Sequence, residues 1–179
     1  MPGNGLAQLF GDLFGQVAGA IEGDVQFHVG ARQGSVRVDF YTASPDAIKA
    51  MLALESAVSK LPLEQSLVEL VKLRSSQING CAFCVDMHTT DARKLGETER
   101  RLHCLSVWRE TPFFTPRERA AIAWTEALTQ LSQTHAPDED YALLSAEFSP
   151  AEMVDLTLAI NTINSWNRLA VGFRKLPAE

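Results

Sequence analysis

Three dipeptides govern what this chain can fold into: Ser44-Pro45, Thr115-Pro116 and Ser149-Pro150. Each sets a hydroxyl where a helix N-cap accepts orphan amide protons. The proline that comes next lacks an N–H and has a fixed φ, which suits the first helical position. Glu118 and Glu152 stand three residues after Thr115 and Ser149, where a capping box needs its acid. Helical periodicity follows each start, and breakers at Leu61-Pro62, Asn79-Gly80, Gly96 and Pro137 divide the rest. The pattern predicts helices over 45–60, 63–78, 81–96, 98–107, 116–130, 138–147 and 150–173. No apolar alternation survives beyond residue 44. The expected fold class is therefore all-α, six to seven helices joined by short loops.

The region before Ser44 reads differently. Val25/Phe27/Val29 and Val36/Val38/Phe40 alternate, which predicts short extended strands at most. Leu6, Leu9, Phe10, Leu13, Phe14, Val17 and Ile21 form an apolar stripe interrupted by Asp12 and by recurring glycines. This stretch has no basic start, so it is not expected to be a secretory signal. It carries no Lys or Arg, which weighs against a membrane-surface helix, the sole hint of a membrane in the chain. Residues 1–38 are thus expected to be an extension of unassigned role, with the helical domain at 39–179. The net charge of −6 argues against a general nucleic-acid binder, since phosphate recognition needs a basic surface.

The chemistry is concentrated in Cys81-Ala82-Phe83-Cys84-Val85-Asp86-Met87-His88. On a helix, Cys81, Cys84 and His88 share one stripe. Gly80 puts Cys81 at the helix start, where unpaired amides favour a thiolate and bring thiol pKa values into roughly 3.5–7.5. A thiolate, a second thiol and a base one turn away suit oxidation to a sulfenic acid and closure to a disulfide. With an odd count of three cysteines, the chain does not resemble a secreted disulfide framework, and a reducing, cytoplasmic compartment is expected. Because helix precedes the motif, the thioredoxin fold is disfavoured. A zinc site and an inert thiol pair stay open on residues alone. C-x2-C-x3-H offers three zinc ligands and lacks a clear fourth; the cysteines could equally be two buried thiols beside an unrelated histidine.

Glu69 interrupts the apolar run Leu67-Val68-Glu69-Leu70-Val71, while Lys72 reads as a solvent charge. An acid on a buried face wants a partner, and near thiols it could relay protons. On pattern alone, a solvated glutamate at the edge of that face fits equally well.

Glu69, Arg74-Ser75-Ser76-Gln77-Ile78-Asn79-Gly80-Cys81-Ala82-Phe83-Cys84 and His88 together resemble the alkylhydroperoxidase AhpD-like core of the carboxymuconolactone decarboxylase superfamily. Thr89 to Gly96 and Asn164-Ser165-Trp166-Asn167-Arg168 extend the resemblance, which spans roughly residues 39–173. It implies an all-helical fold assembled as a homo-oligomer, a trimer or hexamer. It also implies hydroperoxide reduction, with Cys84 as peroxidatic cysteine, Cys81 as resolving cysteine, and Glu69 and His88 as proton relay. No bound cofactor or metal is implied; an external electron donor, a reducing protein or small dithiol, is. Phe83 departs from the pattern, since the best-known branch has a histidine directly before the second cysteine. The weaker alternatives are a non-enzymatic redox-sensing or metal-binding oligomer and a lactone decarboxylase, the latter disfavoured because that branch generally lacks the CxxC.

Plainer expectations attach to the remaining candidates. His103 and Cys104 read as packing or surface groups, and His135 as solvated in its loop. Trp108, Trp124 and Trp166 read as core or interface fillers. Asn161, Asn164 and Arg168 form a polar stripe on the last helix, either solvated or an inter-subunit hydrogen-bond row.

Overall fold

The computed structural model describes residues 35–177. Its helices are α1 (Phe40–Ala43), α2 (Pro45–Val58), α3 (Gln65–Ile78), α4 (Ala82–Lys94), α5 (Glu99–Cys104), α6 (Pro116–Thr129), α7 (Leu131–Thr134), α8 (Asp138–Glu147) and α9 (Pro150–Phe173). A 3-10 segment, Leu105–Glu110, comes directly after α5. Among the described residues there is no strand, and the all-α expectation holds. The expected count of six to seven helices rises to nine among the described residues because α1 and α7 are single turns of four residues, too short to show periodicity. The strand expected over Val36, Val38 and Phe40 is absent: residues 35–39 are irregular, and Phe40 opens α1. The alternation at Val25, Phe27 and Val29 and the stripe at 6–21 lie outside the described residues.

Two of the three hydroxyl–proline starts fold as expected. Thr115 with Glu118 and Ser149 with Glu152 each form complete capping boxes. Ser44 does not cap with its side chain. It also closes α1, its N–H donating to the Phe40 carbonyl at 3.4 Å, and its backbone at φ −145°, ψ 71° serves both helices.

Helix α3 is the axis of the domain and packs against α4, α6 and α9. Leu67, Val68 and Val71 face one core with Ala120, Ala121, Leu156 and Ile160; Leu70 and Leu73 face another with Leu102, Leu105, Trp108 and Ile122. A helix buried this widely strands every polar side chain it carries unless each finds a partner. Lys72, expected in solvent, is buried and pairs with Glu55 of α2 at 2.5 Å. Arg74 Nε donates to Glu126 at 2.7 Å. Ser75 shares a hydrogen bond with Thr129, and the Ser76 hydroxyl donates to the Lys72 carbonyl.

The turn out of α3 positions the start of α4. Gly80 sits at φ 64°, a left-handed conformation that costs a residue with a Cβ about 1 kcal/mol or more. The Cys81 N–H donates to the Ser76 carbonyl at 3.0 Å and the Gly80 N–H to Gln77 at 3.3 Å, the paired bonds of a Schellman stop. Cys81 is therefore the residue that ends this stop and the N-cap of α4 at once.

Candidate functional site

Because one residue serves both helices, the cysteines are held by backbone geometry from two sides. The Cys81 sulfur accepts the Cys84 N–H at 3.3 Å in the N-cap position, among the free amides of α4. The two Cα atoms are 5.4 Å apart, within the usual span of a disulfide, and the sulfurs face each other. Both cysteines are buried, packed with Ile163 and Ala170 of α9.

Their surroundings differ. A cavity of about 390 Å³ opens beside α4 and is lined by Cys84, His88 and Glu69 but not by Cys81. Phe83, Met87, Ile163 and Trp166 supply much of its apolar wall. His88 lies one turn beyond Cys84, and its Nδ1 is 2.8 Å from Glu69 Oε2. A carboxylate there accepts the Nδ1 proton, which leaves the lone pair on Nε2. That Nε2 is buried and has no hydrogen-bond partner among the described residues. Buried polar atoms are nearly always paired, so an unpaired one on a cavity-lining residue points to a role outside the resting fold. The four residues singled out in the sequence thus converge on one place.

Several groups in the site carry no signal that the sequence pattern made plain. Glu55 accepts from Trp166 Nε1 at 3.1 Å as well as from Lys72, so a neutralised pair forms another part of the cavity wall. The same argument that flags Glu69 would flag Lys72, a charge inside an apolar run. Asn164 is buried and not solvated. It turns inward: its Oδ1 and that of Asn167 both accept from Asn79 Nδ2 at 2.9 Å. Asn167 Nδ2 then donates to Ser76 at 3.1 Å. This network ties α9 to the turn that carries Cys81. Asn161 and Arg168 are exposed.

His103 and Cys104 do not join the cavity. His103 is exposed, 3.7 Å from Glu99, and Cys104 is an unpaired, half-buried thiol. His135 is exposed in a left-handed turn at φ 55°. Trp124 donates to Thr157, and Trp108 is buried and donates to Glu126. Among the described residues no group of three or more His, Cys, Asp or Glu side chains is gathered to hold a metal ion, and no helix is long and apolar enough to cross a membrane.

An all-helical domain with a CxxC at the start of one helix and a Glu–His pair beside it matches a known family. The carboxymuconolactone decarboxylase family model covers residues 45–127, which include all four site residues. The uncharacterized protein YdfG of Bacillus subtilis is 44% identical over 138 residues, 77% of this chain and 94% of that protein. A crystal structure from Agrobacterium tumefaciens, of a protein of unknown function proposed as the antioxidant defence protein AhpD, is 48% identical. It superposes with a TM-score of 0.79 over 81% of this chain and all of that one. An alkylhydroperoxidase AhpD core structure from Ralstonia eutropha, an uncharacterized peroxidase-related protein, is 20% identical with a TM-score of 0.69. That match covers 78% of this chain and 74% of the other, and shows the shared fold. The chain belongs to the carboxymuconolactone decarboxylase family, with an AhpD-like fold.

Proposed function

We propose that this chain is a thiol-dependent hydroperoxide reductase. The observation that carries this reading is the asymmetry of the dithiol: Cys84 lines the cavity together with His88, whose Nε2 has no partner among the described residues, and Cys81 does not line it. Nε2 takes the Cys84 proton, while Glu69 holds the ring and stabilises the imidazolium that forms. The Cys84 thiolate attacks the terminal oxygen of a hydroperoxide. The O–O bond breaks, the alkoxide leaves as the alcohol with the proton returned from His88, and Cys84 becomes a sulfenic acid. The Cys81 thiol then attacks that sulfur; the S–S bond forms and water leaves. Two electrons and two protons from an external dithiol, protein-borne or small, restore both thiols.

The cycle uses no bound metal or organic cofactor. It needs a reducing compartment, and the cytoplasm is the proposed one. The working assembly is proposed to be a trimer or hexamer, which sedimentation of the purified chain would test. Phe83, where the best-known relay has a histidine, leaves proton transfer to His88 and Glu69 alone.

The decisive experiment measures hydroperoxide consumption with dithiol donors in wild type and Cys84→Ser. Consumption that falls to the uncatalysed background in the variant is expected. Equal consumption in both, or thiols that survive one equivalent of peroxide, overturns the reading.

A further inference from the structure

Among the described residues, every acid lining the cavity has a partner, and one cation has none. Glu55 is paired with Lys72, Glu69 with His88, and Asp91 with Lys94 at 2.7 Å. Lys175, just beyond α9, also lines the cavity and has no carboxylate within ion-pair distance among the described residues. Its ammonium instead lies over three aromatic rings: Tyr41 at 4.8 Å, Phe83 at 4.9 Å and Phe40 at 5.8 Å from the centroids. Ring faces steady a cation without neutralising it, so its charge stays available to an anion. The two ends of the lysine's setting are anchored separately. Its backbone N–H donates to the Ala170 carbonyl at 2.9 Å, and Phe40 packs on Phe173. Phe83 joins this cation to the chemistry, because it lies between Cys81 and Cys84 and lines the same cavity.

An apolar chamber in which, among the described residues, one cation lacks a carboxylate partner and one nucleophile lines the cavity wall selects an amphipathic molecule. Resting on the hydroperoxide-reductase reading, we propose that the preferred substrate is an organic hydroperoxide bearing a carboxylate on an apolar chain. A fatty-acid hydroperoxide is of this type. Lys175 takes the carboxylate, the apolar wall takes the chain, and the –OOH reaches Cys84. The balance is unchanged: the hydroperoxy acid and two thiols give the hydroxy acid, water and the disulfide. Hydrogen peroxide, with neither chain nor charge, gains nothing from this arrangement.

The test uses the full chain, pre-reduced, in single-turnover oxidation without any donor, followed by thiol titration. Linoleic acid hydroperoxide is compared with its methyl ester, both below the concentration at which they form micelles. The acid is expected to be favoured over the ester by about tenfold in second-order rate, the size of one charge-assisted hydrogen bond. Lys175→Met should bring the acid-to-ester ratio to about one, and Lys175→Arg should restore it. A lysine needed only for packing would lower both rates together and leave the ratio intact. A wild-type ratio of one, or a ratio that survives Lys175→Met, overturns this inference and leaves the reductase reading standing. No oxidation by any hydroperoxide overturns both.

Discussion

Two half-buried carboxylates on neighbouring helices meet opposite fates. Glu126 of α6 is saturated: Arg74 Nε, Trp108 Nε1 and Arg109 Nη1 all donate to it. Burial pushes its carboxyl up, but the hydrogen bonds from Arg109, Trp108 and Arg74 outweigh that, and its pKa lies below the ordinary carboxylate value. Among the described residues, Glu69 of α3 has a single polar partner, Nδ1 of His88, and that ring carries a buried nitrogen with no hydrogen-bond partner. The first arrangement spends every donor on holding α3, α6 and the 3-10 segment together. The second leaves capacity unused beside a cavity. On the proposed reading, satisfaction separates a structural carboxylate from one poised for chemistry, although the two are buried to a similar degree.

The comparison breaks first at Glu69. Glu69→Gln keeps the size of the side chain but removes the charge that stabilises an imidazolium. Oxidation of pre-reduced protein by hydroperoxide should slow by about a hundredfold, while Tm should move by no more than about 2 °C. Stopped-flow thiol oxidation beside a thermal melt reads both. An unchanged rate would make Glu69 as structural as Glu126 and remove the relay from the mechanism.

Glu126→Gln should do the converse. Partly buried guanidinium donors lose their counter-charge at a cost on the order of 2 kcal/mol, a fall in Tm of about 4–8 °C for a domain of this size. The oxidation rate, measured well below the melt, should stay within about twofold of wild type. A rate loss comparable to that of Glu69→Gln would mean that the hub reaches the cysteines through α3 and that the two carboxylates are not separable.

What the sequence makes legible divides along the same line. Caps, breakers and periodicity are local, so α6, α8 and α9 and the Gly80 stop can be read directly. Glu69, Cys81, Cys84 and His88 can be read because helix spacing and one resemblance align them. Lys72 cannot be placed, because its partner Glu55 lies on a helix whose packing no local rule supplies. Asn164 and Asn167 show the same limit: a polar stripe has two possible directions, and Asn79 settles it only across the α3–α9 contact. The helix expected over 98–107 tightens into the 3-10 segment at Leu105 and continues to Glu110. Arg119 Nη1 supports that path by donating to the carbonyls of Trp108 and Thr111, a contact from eleven and eight residues away. Lys175 gives no local signal because its aromatic partners come from α1, at the other end of the domain, and from α4.

The smallest expected effect extends the contrast to a third carboxylate. Glu152 accepts from the backbone N–H of Ser149 and from Arg117, at 2.8 Å and 2.6 Å. The Ser149 backbone bond, then the Ser149 hydroxyl and Arg117, lower its pKa from 4.5 to about 2. A carboxyl held below its ordinary value contributes its full stabilisation above pH 4.5 and loses it as pH falls toward 2. Wild type and Glu152→Gln should therefore differ most in urea midpoint near neutrality, and their difference should shrink between pH 4.5 and pH 2. Glu126 lies on the same side, its lowered pKa also adding stability that acid removes. The Glu152 effect is the smaller because its box sits at an exposed helix start, where water competes for each donor. Stability curves for wild type and Glu152→Gln that run parallel through this window would show that the capping carboxylate is as protonated in the folded chain as in the unfolded one. The capping box would then hold its helix start through geometry alone.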